Sequence, residues 1–146
     1  MLAVVSRRLV VGAALVDDLD QPTRLLAARR TEPSHLAGGW ELPGGKVEEG
    51  ETLVEAVHRE LEEELDVHIE LGVAVPGPLT TNGEVGAWPL GESYAMHVRL
   101  ARVTHGEARP VAEHDQVRWL TKQDLYDVDW LPDDLPVIRA VETHLR

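Results

Sequence analysis

The stretch from Gly44 to Val67 constrains this chain more than any other part of it. Leu53, Val57, Leu61 and Leu65 recur every four residues, which is the spacing of an apolar stripe along one side of an α-helix. Thr52 and Glu55 have the Ser/Thr-x-x-Glu arrangement of a capping box, so the helix is expected to begin at Thr52. At about 100° per residue, Glu60, Glu63 and Glu64 fall on one face, at i, i+3 and i+4, while Glu55 and Glu62 point to solvent. The acidic face borders the apolar stripe, with Glu64 at its edge. Three carboxylates beside a core repel one another and are costly to strip of water, so the pattern asks for a positive charge among them. Hard divalent cations take oxygen ligands, and Mg²⁺ is usually held by a few carboxylates together with substrate phosphate. The plainer alternative is a solvated acidic helix face with Arg59 and Lys46 as partners. A functional site is favoured by the Pro43-Gly44-Gly45 turn ahead of the helix, whose backbone can approach a ligand closely, and by Arg29, Arg30 and Lys46 flanking the same stretch.

The rest of the composition narrows the function by exclusion. The chain has 146 residues, the size of one domain, and 43% of them are hydrophobic, enough for a core. Cysteine is absent, which rules out disulfides, zinc–thiolate sites and thiol catalysis and is compatible with a reducing cytoplasm. A formal net charge of −12 repels nucleic-acid backbone, so no DNA or RNA partner is expected. A free nucleoside triphosphate would also be repelled unless cations offset the field locally. No stretch is long enough to span a membrane. Met1 to Val16 is apolar but interrupted by Arg7 and Arg8, so it reads as a first strand and not as a signal peptide.

Along the chain, Leu9 to Val16 is a continuous apolar run of strand length, and Arg24 to Arg30 contains a second. With the Asp17-to-Pro22 turn between them, they predict a hairpin. A loop from Thr31 to Gly39 follows. Val67 to Val75 reads as a strand, and Pro76 to Gly91, with its prolines and glycines, as one long loop. Ser93 to Val103 alternates, with Tyr94, Met96, Val98 and Leu100 on one side, and predicts a half-buried strand. A polar loop to Asp115 leads into a short strand over Val117 to Leu120. Thr121 is expected to cap a brief helix through Tyr126, and Asp133 or Asp134 to cap a last helix carrying Leu135, Ile138, Val141 and Leu145 inward. Strands and helices mixed in one unit give an α+β domain with a mixed sheet between helices, an α/β/α layering.

At the central segment the sequence resembles the Nudix hydrolase family. Gly45 is followed by five residues to Glu51; seven more lead to Arg59-Glu60, then Leu61, Glu62, Glu63-Glu64, Leu65, Asp66 and Val67. Every defining position of the Nudix box over 45–67 matches except Asp66, which stands where the family has glycine. That glycine suits a left-handed helix cap, which Asp tolerates better than most residues, so the departure touches helix termination and not metal chemistry. The resemblance covers nearly the whole chain, 1–146 as a single domain. It runs to the MutT-type branch, including CTP and dCTP pyrophosphohydrolases and 8-oxo-dGTP diphosphatases. Trp40 to Glu48, Ala112 to Trp119 and Trp130 to Pro136 are similar to that branch outside the box.

The resemblance implies a Nudix fold and metal-dependent attack of water on a nucleoside triphosphate, releasing monophosphate and pyrophosphate. It implies Mg²⁺ or Mn²⁺ held by Glu60, Glu63, Glu64 and the carbonyl of Gly44, with Glu60 also helping to activate water. Glu113 matches a loop glutamate that some members use as an extra ligand or as the base. Glu51 and Arg59 would pair and, with Gly45, hold the loop and helix together. Arg30 and Lys46 would contact substrate, and Asp134 would read the base. A carboxylate there accepts hydrogen bonds from the cytosine amino group or from N–H groups of a guanine-type base. Two rivals stand beside this reading. One is another Nudix substrate class such as ADP-ribose or dinucleoside polyphosphates, whose downstream proline or tyrosine marker is missing at Asn82-Gly83-Glu84. The other is a non-catalytic Nudix-like domain, which would normally have lost the glutamates. A homodimer is open, since symmetric dimers are common among small enzymes. The seven histidines show no metal-ligand spacing and read mostly as surface; Trp40, Trp119 and Trp130 read as core.

Overall fold

The computed structural model describes residues 6–81 and 84–146. Residues 1–5 of the expected first strand, and Asn82 and Gly83 of the substrate-class marker, lie outside the described residues. The order of elements is β1 (Arg8–Leu15), β2 (Arg24–Arg30), β3 (Trp40–Glu41), β4 (Gly44–Lys46), α1 (Leu53–Leu65) and β5 (His68–Val75). Then come β6 (Leu79–Thr81), β7 (Glu84–Leu90), β8 (Tyr94–His105), β9 (His114–Thr121) and α2 (Leu135–Glu142).

The expected hairpin of the first two strands does not form. β1 and β2 meet at the bridge Val16–Leu25 and then diverge into different sheets. β1 runs parallel to β8 and antiparallel to β4, while β2 joins β3 and β9 in a separate antiparallel sheet. The continuous apolar runs explain why. A hairpin with one wet face would alternate, whereas these strands are covered on both faces. Val11, Ala13 and Leu15 of β1 and Leu26 of β2 pack toward α1, while Ala14, Val16, Leu25 and Ala27 pack toward α2. The helices thus lie on opposite sides of the sheets, and the layering expected from sequence is present.

The segment 40–46 crosses the gap between the diverging strands. Its first half pairs with β2, through Ala28–Glu41 and Arg29–Trp40, and its second half with β1, through Val11–Gly45 and Gly12–Gly44. Pro43 lies at the crossing, and its carbonyl accepts from the Ala13 N–H at 2.9 Å. A Cβ on Gly44 would overlap the Val11 carbonyl, so only glycine allows the crossing strand to lie this close to β1.

Three other sequence expectations need correction. The stretch from Pro76 to Gly91 is not one loop but carries β6 and β7, which pair with each other, and β7 adds to β8 through Trp88–Met96 and Leu90–Tyr94. Its glycines and prolines lower local strand preference, and pairing with an existing edge overrides it. The helix expected after Thr121 is a run of turns instead, with Asp124 N–H bonding to the Thr121 carbonyl at 3.0 Å. There the buried Leu125 and the Trp130 Nε1–H to Leu125 carbonyl bond, at 2.7 Å, anchor an irregular path. Finally, neither Asp133 nor Asp134 caps α2 with its side chain. Asp133 accepts from Gly91 N–H and Asp134 from Leu42 N–H, both across the fold. No helix among the described residues is long and apolar enough to cross a membrane.

Candidate active site

α1 begins and ends as its sequence requires. Thr52 and Glu55 form the reciprocal capping box, and Asp66 closes the helix in the left-handed conformation at φ 58°, ψ 46°. Ala56, Val57, Leu61 and Leu65 are buried. That stripe fixes the rotation of the helix and turns Glu60 and Glu64 toward β4. Glu64 Oε2 accepts from the Gly44 N–H at 3.3 Å, and the Glu60 carboxylate occupies the space a Cβ on Gly45 would need. Burial pushes Glu64 up to about 8, with the neighbouring charges of Glu41, Glu60 and Glu113 acting in the same direction. Burial also raises Glu60, although Arg59 pulls it back. Glu63 stays more exposed and accepts from Arg59 Nη1 at 3.2 Å.

Arg59 organises the start of this segment. Its Nε and Nη2 donate to the two oxygens of Glu51 at 2.7 and 2.9 Å, Nη2 also reaches the Lys46 carbonyl at 3.0 Å, and Nη1 donates to Glu60 at 2.8 Å. This forked pairing holds Glu51 down to about 2 and raises Arg59 above its ordinary range. The pairing of Glu51 with Arg59 expected from the sequence is therefore present. Arg59 in addition shields two of the three helix glutamates from each other.

The small sheet supplies the opposite wall. Arg30, Glu41 and His114 share one of its faces. Arg30 Nη1 donates to Glu41 at 3.0 Å, its Nη2 to Glu113 at 2.8 Å and its Nε to the Glu32 carbonyl at 2.8 Å. His114 is buried, with Nε2 2.9 Å from Glu41 Oε2 and Nδ1 3.7 Å from Glu64 Oε2. Sequence reasoning missed both Glu41 and His114. His114 belongs among the histidines that lack metal-ligand spacing, and the polar loop expected through Asp115 gives way to β9 at His114. The signals available were Glu41 within Trp40-to-Gly45 and the direct adjacency of His114 to Glu113.

Between the walls lies a cleft of about 590 Å³ lined by Arg30, Glu41, Gly44, Lys46, Met96 and Asp134, among others. Arg30, Lys46 and Asp134, the three expected substrate contacts, thus border one space. Lys46 Nζ sits 5.5 Å from the centre of the Tyr94 ring at its rim. Asp134, at 6% exposure, has one oxygen occupied by the Leu42 N–H at 3.0 Å, and burial raises it to about 7.

Among the described residues, no three carboxylate or imidazole groups already stand as a formed metal shell. Glu60 and Glu63 are turned to Arg59, and Glu64 to a neutral backbone N–H. The donor set nevertheless suits a hard divalent cation. Glu64 is a buried carboxylate whose surrounding charges at Glu41, Glu60 and Glu113 are all negative, an arrangement a cation would relieve.

Comparison with known proteins shows the family. The sequence model of the NUDIX domain matches residues 6–141. The candidate 8-oxo-dGTP diphosphatase 2 of Mycobacterium tuberculosis is 37% identical over 130 residues, covering 87% of this chain and 82% of that protein. The CTP pyrophosphohydrolase of Escherichia coli is 30% identical over 122 residues, covering 84% of each. The crystal structure of a MutT Nudix hydrolase from Burkholderia pseudomallei superposes with a TM-score of 0.68 at 32% identity, covering 93% of this chain and 98% of that one. With the box, the fold and these relatives in agreement, the chain belongs to the Nudix family of hydrolases.

Proposed function

We propose that this protein hydrolyses a nucleoside triphosphate to the monophosphate and pyrophosphate, with Mg²⁺ or Mn²⁺ held by Glu60, Glu63, Glu64 and the Gly44 carbonyl. The observation that carries the reading is the buried Glu64, under the negative charges of Glu41, Glu60 and Glu113 and bonded to the N–H of Gly44, which with Arg30, Lys46 and Asp134 lines the cleft. A bound divalent cation neutralises phosphate charge and eases deprotonation of water. The protein's own groups do the rest. Arg30 and Lys46 hold the phosphate chain by charge. Arg59 and Glu51 keep α1 and β4 in register. Glu60 or Glu113 accepts the proton of the attacking water, and the pyrophosphate leaves without a covalent intermediate.

Asp134 reads the base in this reading. Its free oxygen accepts from cytosine N4 or from the N1 and N2 hydrogens of 8-oxoguanine. The relatives named for 8-oxo-dGTP and CTP support the same two candidates. A cytoplasmic location suits a freely diffusing nucleotide substrate, and the proposed reaction uses neither a nucleic-acid nor a membrane partner. The test is a panel of CTP, dCTP, 8-oxo-dGTP, UTP and ADP-ribose with and without divalent cation, with the triphosphates scored for pyrophosphate against orthophosphate and ADP-ribose for release of AMP. Cation-dependent pyrophosphate release from CTP, dCTP or 8-oxo-dGTP is expected. Preferred cleavage of ADP-ribose, or turnover undiminished in EDTA, would overturn it.

A further inference from the structure

The pairing of β2 with β9 slips by one residue beside the cleft. Arg29 faces Gln116, but Arg30 faces His114, so Asp115 is an extra residue on β9, a β-bulge. Bulges beside functional sites re-aim side chains. Here the slip puts Asp115 out toward Arg29, which it binds through two bonds of 2.8 Å. It puts His114 on the inner face, opposite Arg30 and within reach of Glu41. In an unbroken ladder Asp115 would occupy that inner position and add another carboxylate beside Glu41 and Glu64.

His114 makes unequal use of its two nitrogens. Nε2 lies 2.9 Å from Glu41 Oε2, and because an ionised carboxylate only accepts, Nε2 carries the hydrogen of that bond. Nδ1 is buried and has no hydrogen-bond partner, and its 3.7 Å separation from Glu64 is too long for one. Glu41 in turn holds Arg30 Nη1. The guanidinium is therefore fixed on its inner side by a carboxylate that is 15% exposed, and bound on its outer side by Glu113, which is 50% exposed.

We propose that His114 is the positioning residue for Arg30: its Nε2–H bond orients Glu41 so that Arg30 stays anchored at the cleft wall while its outer nitrogen, paired with Glu113, remains exchangeable. The proposal rests on the assignment of Arg30 as a substrate contact. A substrate phosphate takes over Nη2 from the more exposed Glu113, and the Glu113 carboxylate is freed as this happens. Without the His114 bond, Glu41 loses the partner that orients it, and Arg30 loses a fixed inner anchor.

Two near-isosteric variants separate the nitrogens. The Gln amide nitrogen lies near the place of Nε2, and the Asn amide nitrogen near that of Nδ1. For H114Q, KM should stay within about twofold of the unaltered protein, whereas H114N and H114A should raise KM by roughly tenfold or more with kcat changed far less, the loss expected for one charge-assisted hydrogen bond. A second readout needs no turnover. The Arg30 Nε–H resonance in a ¹H–¹⁵N spectrum, assigned with R30K, should keep its position in H114Q and move in H114N. If the unaltered protein releases no pyrophosphate, the functional reading fails, and the resonance alone then judges the positioning role. Rescue by Asn and not Gln, a loss confined to kcat, or an Arg30 resonance unmoved in H114N would overturn the proposal.

Discussion

Glu64 Oε2 lies 3.3 Å from the Gly44 N–H, so the last turn of α1 is tied directly to the strand that crosses between the two sheets. A buried carboxylate whose hydrogen-bond donor is a single neutral amide is poorly compensated, and it sits where two layers of the fold meet. Charge at this point therefore affects activity and stability together.

Glu64→Gln should reduce kcat by about 10²- to 10³-fold, the scale of losing one central electrostatic group. EDTA should abolish turnover of the unaltered protein. Steady-state kinetics with a Mg²⁺ titration checks both, and full activity in EDTA or in Glu64→Gln would overturn the proposed metal mechanism.

The same residue sets a pH dependence in the metal-free protein. Unfolded, Glu64 loses its proton near 4.5; folded, burial retains it up to about 8. Between these values the folded state binds the additional proton, so the stability this group contributes is full below 4.5 and is lost as pH rises through 8, by on the order of a few kcal/mol. Melting in EDTA should show this decline, Glu64→Gln should flatten it, and added divalent cation should reverse it. A melting temperature rising over that range in EDTA would contradict the burial of this carboxylate.

Gly44→Ala and Gly45→Ala should fail differently. At Gly44 the new methyl meets the Val11 backbone, which cannot yield cheaply, so the fold is destabilised. At Gly45 it meets the end of the Glu60 side chain, which can swing away, so activity falls more than stability. Thermal melts and kcat on the two variants check the contrast.

Asp134 should discriminate CTP from UTP through an ionised oxygen that accepts from N4 but repels O4. Loss of that hydrogen bond is worth about 1–3 kcal/mol, and Asp134→Ala should flatten the preference. Burial raises Asp134 to about 7, so the carboxyl gains a proton as pH falls through 7 and can then donate to O4. The CTP/UTP ratio of kcat/KM should therefore shrink on acidification. Equal use of both nucleotides at alkaline pH would refute the assignment.

Glu113→Gln should lower kcat while leaving the melting temperature nearly unchanged. Its side chain is half exposed and bonds to Arg30 Nη2, so the fold depends little on it. An unchanged kcat would leave Glu113 as a surface carboxylate.

α1, its caps and the acidic face are legible in the amino-acid order alone, because capping, the four-residue repeat and side-chain phase on a helix are all local. The Glu51–Arg59 pair was implied by the family resemblance, and it forms between residues eight apart on either side of the helix start. The remaining features depend on contacts between distant parts of the chain. β1 and β2 look like a hairpin because local turn signals join them, yet each finds a longer ladder elsewhere, and the cleft is the gap their divergence leaves. β6 and β7 are hidden by glycine and proline and appear once β8 offers an edge. His114 looks like a polar loop residue until a one-residue bulge turns it inward, because the side-chain phase of a strand is set by its register against a partner and not by its own sequence. The two aspartates before α2 could each have capped it; contacts with Leu42 and Gly91, both distant in sequence, took their side chains instead.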